Sequence, residues 1–447
     1  MKKLLLLLLW LFMITTAEAQ LYKLQENEGI IGGGLGVTWI DGEPHYTFRL
    51  FPEFAFANFG VGLDLRLDYD PKGHLRTENF NEFSDYLSII RYVRYGQKRD
   101  PVYARLGALD YATLGHGSIM YLYNNSPSFD TRKIGLEFDI DFTAFGIDTV
   151  YGNFGQAGVA GLRGYVRPLQ FTDLAEIPII GKFEIGASYA ADFHEYAGVD
   201  VGNYNAASDK FSATHDYGTI SILGIDFGLP ILRTGIADVD LYFDYAKIID
   251  FGSGTALGVM AEFNGLGLVN IHTRMERRFN GKNYLPSYFN SFYELERFKL
   301  NKTGNFVTSK VQQLANADVG NGWYGELYFS VIGTFNVLGS YQRLDDYPQS
   351  GILHLASEIA PESLPFILRA GYDKVNIKDE KDLFKLDDRS YLFTEFGYKP
   401  YPFMIVSLVY NWTFTPIRDA DDNIIDYKPQ KRIEPRISFI FPVSFGG

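Results

Sequence analysis

The feature that most restricts the fold is an alternation of apolar and polar residues with a period of two, which recurs from end to end of the chain. In the segment 60–69 the odd-numbered positions are Val, Leu, Leu, Leu and Tyr, and the even-numbered positions are small or charged. The same pattern returns over 133–142, 182–189, 238–245 and 404–414. Because no window shows the period of a long amphipathic helix, the chain is predicted to be all-β.

The predicted strands are also long. Strands of soluble proteins run about 5–6 residues, whereas a tilted strand that crosses a bilayer needs roughly 9–11, and many of these segments reach that length. Their connections alternate between short turns, as at Ala57-Asn58, and long loops, as at 279–319. Tyrosines such as Tyr245 and Tyr401 collect at strand ends, where a membrane interface favours them. These features favour a transmembrane antiparallel up-and-down β-barrel over a soluble β-sandwich.

Counting the segments gives about 20 strands, within a range of about 16 to 20, and an even number places both ends of the wall on the periplasmic side. The predicted strands are 30–40, 45–57, 59–70, 85–96, 101–111, 132–143, 145–154, 156–168, 180–192, 216–228, 233–246, 255–264, 266–278, 320–332, 334–344, 350–359, 364–377, 388–399, 402–415 and 430–443.

One face of each strand must be apolar toward lipid, while the other can carry charge into the lumen. The residues predicted to face lipid include Leu65, Phe138, Leu241, Phe243 and Leu408. The residues predicted to line the lumen are Asp64, Arg66, Glu137, Asp139, Arg163, Arg167, Asp240, Arg369 and Glu395.

The amino terminus has the three-part form of a secretory signal peptide: Lys2 and Lys3, an apolar run over 4–13, and Ala17-Glu18-Ala19. We expect residues 1–19 to be removed and residues 20–447 to form a single barrel domain. The absence of Cys excludes disulfides, thiolate metal sites and a lipoprotein anchor. The net charge of -13 excludes a basic nucleic-acid-binding face, and the mean hydropathy of -0.08 excludes a polytopic helical membrane protein.

The last predicted strand has an alternating, partly aromatic pattern made by Ile433, Ile437, Phe439, Phe441, Val443 and Phe445. It resembles the C-terminal strand that the barrel-assembly machinery reads, although Gly446-Gly447 follow the final Phe. Together with the strand pattern over 20–447, it makes the chain resemble Gram-negative outer-membrane β-barrels of the porin-like kind. The resemblance implies insertion by that machinery and a location in the outer membrane, in contact with its lipids and with lipopolysaccharide.

The motif Gly115-His116-Gly117-Ser118, followed by Asn124 and Asn125, offers the residue types that outer-membrane phospholipases use. A nucleophilic serine needs a base within hydrogen-bond reach, and the motif of those phospholipases is not matched. We therefore expect a structured loop that folds back on the barrel, and no enzymatic activity.

Asp419, Asp421 and Asp422 form the one candidate for a Ca²⁺ site, because hard cations prefer carboxylate oxygens. The competing interpretation is a solvated loop tip, since the Gly and distal Glu of an EF-hand loop are missing. The seven His contain no HxxxH or HExxH pair, so no other metal and no cofactor is expected.

Two further groups of residues have two interpretations each. The aromatic residues of the longest loop either constrict the pore or contact glycans, or they form a hydrophobic cluster that orders a loop of about 40 residues; they are Tyr284, Tyr288, Phe289, Phe292 and Tyr293. Five arginines either form an electropositive lumen wall or pair with lumenal carboxylates; they are Arg163, Arg167, Arg369, Arg432 and Arg436.

Two functions follow from these expectations. The first is a porin-like channel for passive diffusion of small hydrophilic solutes, because a barrel of this size is wide enough for an aqueous path unless loops block it. The second is a non-conducting surface barrel that binds polysaccharide or envelope components through its extracellular loops. Loop 279–319 discriminates between them: folded into the pore mouth it favours a gate or plug, and projecting outward with exposed aromatics it favours adhesion.

Overall fold

The computed structural model describes residues 28–439, apart from 78–79, 81–85, 87–88, 99, 178, 332–333 and 361–363. The strands of the first half are β1 (Glu28–Ile40), β2 (Glu43–Phe56), β3 (Phe59–Leu63), β4 (Leu65–Tyr69), β5 (Ile90–Tyr95), β6 (Val102–Gly107), β7 (Ala112–Leu114), β8 (Met120–Tyr123), β9 (Gly135–Asp141), β10 (Phe145–Tyr151), β11 (Val159–Val166), β12 (Glu184–Asp192), β13 (Val199–Asn205) and β14 (Lys210–Asp216). Those of the second half are β15 (Ile220–Arg233), β16 (Ala237–Ile248), β17 (Ser253–Leu266), β18 (Val269–Asn280), β19 (Phe298–Asn301), β20 (Phe306–Ser309), β21 (Gly320–Val331), β22 (Phe335–Leu344), β23 (Gly351–Ile359), β24 (Phe366–Ile377), β25 (Ser390–Tyr401), β26 (Met404–Arg418) and β27 (Ile424–Phe439).

The helices whose full extent lies within the described residues are all short. Two α-helical segments, α1 (Tyr293–Glu296) and α2 (Lys310–Ala315), lie between β18 and β21, and α2 begins with a capping box formed by Ser309 and Gln312. Three 3₁₀ turns, Pro168–Phe171, Asp173–Glu176 and Ile180–Lys182, lie between β11 and β12. Among the described residues, no helix has the length and hydropathy needed to cross a membrane.

The long strands form one closed antiparallel sheet. Successive wall strands pair in chain order, and β1 pairs with β27 to close the barrel. Because β3 and β4 both pair with β2, they are two halves of one strand interrupted at Asp64, and the wall of the described chain contains 20 strands. The predicted fold class and strand number are therefore confirmed. The predicted signal peptide, Phe441, Val443 and Phe445 lie outside the described residues.

The two ends of the barrel differ. At the short-turn end the connections are brief, as at 57–58, 142–144 and 402–403, with 167–183 as a long exception, whereas the long-loop end carries 70–89, 108–134, 193–219, 281–319 and 378–389. The remaining hairpins, β7–β8, β13–β14 and β19–β20, all belong to the long-loop end. This is the alternation that the sequence predicts.

The wall strands have one exposed apolar face and one buried, more polar face. On β16, Leu241, Phe243 and Tyr245 are 41%, 38% and 39% exposed, and they alternate with buried Tyr242 and Asp244. A closed wall with an apolar outer belt is the arrangement that a strand protein needs in order to cross a bilayer.

Two aromatic residues depart from the predicted faces. Phe414 is buried, with its ring 6.3 Å from that of Phe292, because a long loop packs against this part of β26. Tyr111, predicted to lie at the membrane interface, instead donates a hydrogen bond to the Asp373 carboxylate at 3.2 Å in the lumen.

The wall is shorter on one side than on the other. We call β5, β6, β9, β10 and β11 the short arc, because they contain 6, 6, 7, 7 and 8 residues. The long arc comprises β15–β18 and β21–β27, whose strands contain 9 to 16 residues. The prediction of long strands is thus wrong for the short arc. The chain leaves the wall after β6 at Gly107, whose φ of 134° favours glycine and whose Cβ would lie 2.3 Å from the Arg91 carbonyl oxygen.

The first strand is glycine-rich, and the glycines at its inward positions leave room for side chains of the neighbouring strands. Gly32, Gly34 and Gly36 lie opposite Phe51, Arg49 and Thr47 of β2. Side chains from both neighbouring strands reach across the bare backbone of β1: the Arg49 guanidinium lies 3.6 Å from the Glu434 carboxylate of β27. The Arg436 guanidinium likewise lies 5.2 Å from the centre of the Phe51 ring. Side chains two strands apart therefore join the two ends of the wall.

At the long-loop end, three hairpins meet in what we call the cap: β13–β14, β19–β20 and the β26–β27 tip. They share a small core of Val199, Phe298, Leu300, Val307 and Ile425. Their tips are bonded to one another as well. The Tyr204 amide donates to the Asn305 side chain at 2.7 Å, and the Ala420 amide donates to the Asp209 carbonyl at 3.0 Å.

Candidate functional site: the lumenal plug and the cavity beneath it

Two long loops, 108–134 and 281–319, turn into the lumen, and together we call them the plug. They are joined to each other by backbone hydrogen bonds, since the Tyr121 amide donates to the Phe289 carbonyl at 3.0 Å and the Phe289 amide donates to the Ile119 carbonyl at 3.2 Å. Met120 and Phe289 form a parallel β-bridge at this contact. The two loops therefore behave as one packed unit.

The plug contacts wall strands around the circumference of the barrel. Tyr293 donates a hydrogen bond to Asp192 of β12 at 2.7 Å, and Thr415 of β26 donates to Asp130 of the plug at 2.6 Å. The Tyr121 hydroxyl donates to Glu326 of β21. Because these contacts lie on separated strands, the plug spans the bore from wall to wall.

The centre of the plug is apolar and closely packed. Its buried residues come from both loops and from the wall: Leu109, Leu114, Met120, Tyr123, Tyr284, Tyr288, Phe289, Tyr293, Val311 and Leu314 pack with Val159, Ala190, Ile222 and Ile248. Two cavities between the plug and the wall measure about 20 Å³ each, room for about one water molecule. A packed apolar core therefore occupies the lumen at this level.

The aromatic residues predicted to constrict the pore or to contact glycans lie inside this packing. Tyr284, Tyr288, Phe289, Phe292 and Tyr293 are at most 4% exposed. A ring buried on both faces offers no surface to a sugar, so the glycan-contact interpretation of these five residues is wrong. They form the hydrophobic cluster that was the other interpretation, and the cluster sits in the lumen.

A buried charged cluster joins the two loops of the plug to each other and to Asp192 of β12, next to the short arc. The Glu294 carboxylate accepts hydrogen bonds from Arg297 at 2.7 and 2.8 Å and from the Tyr123 hydroxyl at 2.6 Å. Lys133 forms an ion pair with the same carboxylate. Arg297 also pairs with Asp192 at 2.5 Å. The cluster holds two carboxylates and two cations, so its formal charge is balanced.

The electrostatics of this cluster follow from burial and proximity. Burial opposes ionisation of Glu294, but the charges of Arg297 and Lys133 outweigh it and hold the pKa of that carboxyl well below its usual range. Burial, with Arg297 and Lys133 nearby, lowers the pKa of His194 to about 3. At neutral pH Glu294 is therefore ionised and His194 is neutral.

A second charged cluster joins the plug to the seam of the barrel. Asp130 of the plug accepts from Arg76 of loop 70–89 and from Arg432 of β27, both at 2.6 Å. Arg132 of the plug pairs with Asp64 at 2.7 Å. These contacts tie loop 70–89 and loop 108–134 to β27, and loop 108–134 to the wall at Asp64.

His116 and Ser118 lie within the plug, and they meet on Asp244 of β16. His116 Nδ1 lies 2.7 Å from one oxygen of this carboxylate, and the Ser118 hydroxyl donates to the other oxygen. A serine nucleophile needs its hydroxyl to be bonded to the base, whereas here serine and histidine share one acceptor. The site lies on the buried face of β16, and the expected loop that folds back on the barrel is what the structure contains.

The nine predicted lumen-lining residues lie on the inner side of the wall or, for Arg167, in the connection that follows β11, and each has an ion-pair partner. These pairs are Asp64–Arg49, Arg66–Glu434, Glu137–Lys98, Asp139–Lys98, Arg163–Asp226, Arg167–Glu184, Asp240–Arg233, Arg369–Glu358 and Glu395–Arg369. Of the two interpretations of the arginines, the structure contains the ion-paired one, with Arg432 bonded to Asp68 and Arg436 to Glu434.

The candidate Ca²⁺ residues do not converge. Asp419 accepts hydrogen bonds from the amides of Asp421 at 3.0 Å and Asn423 at 2.9 Å, so it orders the turn. Asp421 pairs with Lys210 at 2.7 Å, and Asp422 lies 3.4 Å from Arg418. Within the described part of the chain, no three metal-ligating side chains are grouped around a shared point. The three carboxylates therefore have separate partners in this structure.

Beneath the plug lies a cavity of about 470 Å³ near the short-turn end. His116 and Tyr242 lie on the plug side, and Arg167, Lys182 and Arg233 are among the charged residues that line it. The plug thus occupies the lumen toward the long-loop end, and a cavity lies toward the short-turn end.

Sequence reasoning missed the two charged clusters. Glu294 and Lys133 are 161 residues apart in the chain, and Arg432 and Asp130 are 302 apart, so no local pattern pairs them. One signal was present. Glu294, Glu296 and Arg297 follow directly on an aromatic run, and charges placed in a segment that must be buried require buried partners.

No protein-family model matches this sequence, and no curated protein sequence matches it. Solved structures with a similar shape are outer-membrane proteins. They include OccK5 (OpdH) of Pseudomonas aeruginosa, with 10% identity, a TM-score of 0.32, and 94% of this chain and 99% of that chain covered. The Escherichia coli protein Wzi, described as a carbohydrate-binding β-barrel involved in group 1 capsule assembly, has 11% identity, a TM-score of 0.37, and coverage of 94% and 85%. OmpT of Vibrio cholerae has 9% identity, a TM-score of 0.30, and coverage of 95% and 100%. Each of these TM-scores lies below 0.5, so the similarity itself does not establish the fold. The evidence for the barrel is the pairing of strands within this chain.

Proposed function

We propose that the chain forms an outer-membrane barrel that is closed at rest, and that it acts at the cell surface by binding envelope polysaccharide through its cap. The observation that carries the proposal is the plug, an apolar core that spans the bore and is attached to the wall by buried ion pairs. An open diffusion channel would leave its inward side chains in water. Here the plug buries them at the long-loop end.

Loop 281–319 supports both halves of this proposal. Its aromatic segment lies in the plug, whereas its hairpin β19–β20 belongs to the cap. The sequence offered inward folding and outward projection as alternatives, but one loop does both. A cap that is fixed to the plug is preorganised, which reduces the entropy lost when a ligand binds.

The chemistry of the cap surface suits a neutral, hydroxyl-rich ligand. Asn203, Asn205, Ser212 and Thr214 are exposed along the β13–β14 hairpin, and amide and hydroxyl side chains both donate and accept hydrogen bonds. Phe306 at the neighbouring hairpin is 52% exposed and offers a rigid apolar surface. The proposal includes no catalytic step, since Ser118 and His116 are both bonded to Asp244.

Planar-bilayer conductance of the refolded protein tests the closed state. We expect no conductance steps from the wild type, and steady steps from a variant in which residues 285–316 are replaced by a short Gly-Ser linker. Asn280 and Gly320 are already paired neighbours on β18 and β21, so the deletion joins the strands without distorting the wall. Steady conductance of the wild type at neutral pH would refute the closed resting state.

Binding of purified polysaccharide from the producing cell tests the function of the cap. We expect saturable binding that Phe306→Ala weakens, measured by calorimetry in detergent. The matched control is Tyr217→Ala, which removes an aromatic residue that is 44% exposed at the base of the same cap. Equal affinity of wild type and Phe306→Ala would remove the cap from the proposal.

A second candidate function is a gated channel for small hydrophilic solutes. The cavity of about 470 Å³ below the plug favours it, because such a space is the beginning of an aqueous path. The bilayer experiment separates the two functions. Voltage-dependent opening of the wild type supports the gate, and silence at every voltage supports the closed barrel.

A further inference from the structure

The connection between β11 and β12, residues 167–183, is unlike the other connections of the short-turn end. It folds into three consecutive 3₁₀ turns. The Gln170 side chain donates to the Gly181 carbonyl at 2.5 Å, and the Gly181 amide donates to the Ile177 carbonyl at 3.0 Å. The segment is therefore a compact unit whose two ends are bonded together.

This unit has a polar side and an apolar side. Gln170 and Lys182 line the cavity beneath the plug, beside Arg167. Its apolar side chains are left uncovered: Phe171, Leu174, Ile177 and Ile180 are 68%, 44%, 42% and 49% exposed. A cluster of large exposed apolar side chains on one short segment indicates a partner surface.

The unit lies below the part of the wall that is too short to cross a bilayer. A strand rises about 3.4 Å per residue, so β10, with 7 residues, reaches about 18 Å at a tilt of about 40°. The apolar band of a transmembrane barrel is about 25 Å tall. The short arc therefore lacks several ångströms of apolar height, which is the thickness of one layer of turns.

The apolar side of the unit continues the outer belt of the barrel. Phe183, where the unit ends, stacks on the exposed Phe227 of β15 with ring centres 6.3 Å apart. Phe142 and Phe145 at the adjacent turn are both exposed, with ring centres 5.4 Å apart. The apolar surface thus extends from the strands onto the unit.

We propose that residues 168–177 and 179–182 lie in the membrane interface at the short-turn end and complete the apolar belt below the short arc. The surface that they contact is the phospholipid layer, with Phe171, Leu174, Ile177 and Ile180 in the acyl region. Asp173 and Glu176, both exposed, remain in the headgroup region. This inference rests on the membrane location in the proposed function, and it adds that one connection acts as part of the wall.

Spin labelling tests this placement, and the absence of Cys from the chain makes single-cysteine variants clean. Phe171→Cys and Ile177→Cys are labelled in protein refolded into phosphatidylcholine vesicles, without any other protein. Power saturation then compares collisions with oxygen, which partitions into lipid, and with a water-soluble nickel chelate. Asp173→Cys is the matched control in the same unit, and Leu241→Cys is the control in the belt.

We expect labels at 171 and 177 to resemble the label at 241, with nickel accessibility several-fold lower than at 173. Nickel accessibility at 171 and 177 equal to that at 173, with 241 still protected, would overturn the inference and leave the membrane location intact. A label at 241 that is open to nickel would refute the membrane location and this inference with it.

Discussion

The short arc and the long arc must cross the same bilayer with different amounts of strand. In the long arc, β15 and β17 contain 14 residues each, which exceeds the roughly 9–11 that a tilted crossing needs. In the short arc no strand exceeds 8 residues. The residues that would extend the short-arc strands are present in the chain but lie outside the wall. After Gly107 the chain continues into the lumen as the plug, and after β11 it continues as the 3₁₀ unit.

This difference shows that apolar segments of the same chain either form wall strands or fill the lumen, so that a shorter wall strand can be accompanied by a longer lumenal loop. Next to the short arc, the charged cluster of Glu294, Lys133 and Arg297 lies within the plug, and Arg297 attaches it to Asp192 of β12. On the long-arc side, the plug packs against Val375, Phe414 and Tyr427, Glu296 accepts a hydrogen bond from Asn376 at 2.7 Å, and Asp130 pairs with Arg432 of β27 at 2.6 Å. We therefore expect the buried ion pairs of the plug and its single hydrogen bonds to the wall to differ in strength.

The largest expected effect comes from removing Glu294. Glu294→Ala leaves the buried Lys133 and Arg297 without this carboxylate, and breaking a buried ion pair costs about 3–5 kcal/mol. Asn376→Ala removes one hydrogen bond between the long arc and the plug and should cost about 1 kcal/mol, the typical value for a hydrogen bond. Urea unfolding in detergent measures both. Equal losses would show that the buried ion pairs of Glu294 stabilise the protein no more than this single hydrogen bond does.

A smaller effect is expected at the lipid face of the long arc, whose strands should span the bilayer unaided. Leu241→Arg places a charge in the apolar belt and should lower stability in vesicles by about 2–4 kcal/mol if the site is near the midplane. The matched control is Asp240→Asn, whose carboxylate forms a half-exposed pair with Arg233 and should change stability by less than about 1 kcal/mol. Urea titration of the protein in vesicles is the measurement. Tolerance of Leu241→Arg would contradict a lipid-facing long arc.

The smallest effect is expected in the cap, beyond both arcs. Lys210→Ala breaks the exposed ion pair with Asp421, which water and salt screen. We expect an unchanged midpoint of thermal unfolding, at low and at high ionic strength alike. A clear drop at low salt would show that the cap unfolds together with the plug, so that the comparison would have to include three regions.

The number of strands could be predicted because the lipid face and the polar inner face impose a period of two on every crossing. The ends of the short-arc strands could not. Ala108 continues the outward series of Val102, Ala104 and Leu106, so the sequence predicts a strand over 101–111, whereas β6 ends at Gly107. Leu109 is apolar because it packs in the plug core. A residue buried in the lumen and a residue buried in lipid satisfy the same local pattern.

The candidate site was predictable in kind but not in detail. The density of aromatics over 284–293 indicates a buried cluster, and the structure contains it. Its position depends on loop 108–134, which is more than 150 residues earlier in the chain. The same holds for His116, whose partner Asp244 is 128 residues away. Which distant residues contact each other in this way depends on how the closed barrel brings them together, and no local sequence pattern indicates it.

The bare inner surface of β1 has a consequence for how the barrel is assembled. Because Gly32, Gly34 and Gly36 present no side chains, Arg49 and Glu434 can meet across β1, and Arg66 joins the same carboxylate at 3.1 Å. The register between the two ends of the sheet is then set by charge pairing between β2, β4 and β27. An error of register at closure would separate these buried opposite charges, so the charge pairing favours the correct register of the closing strands.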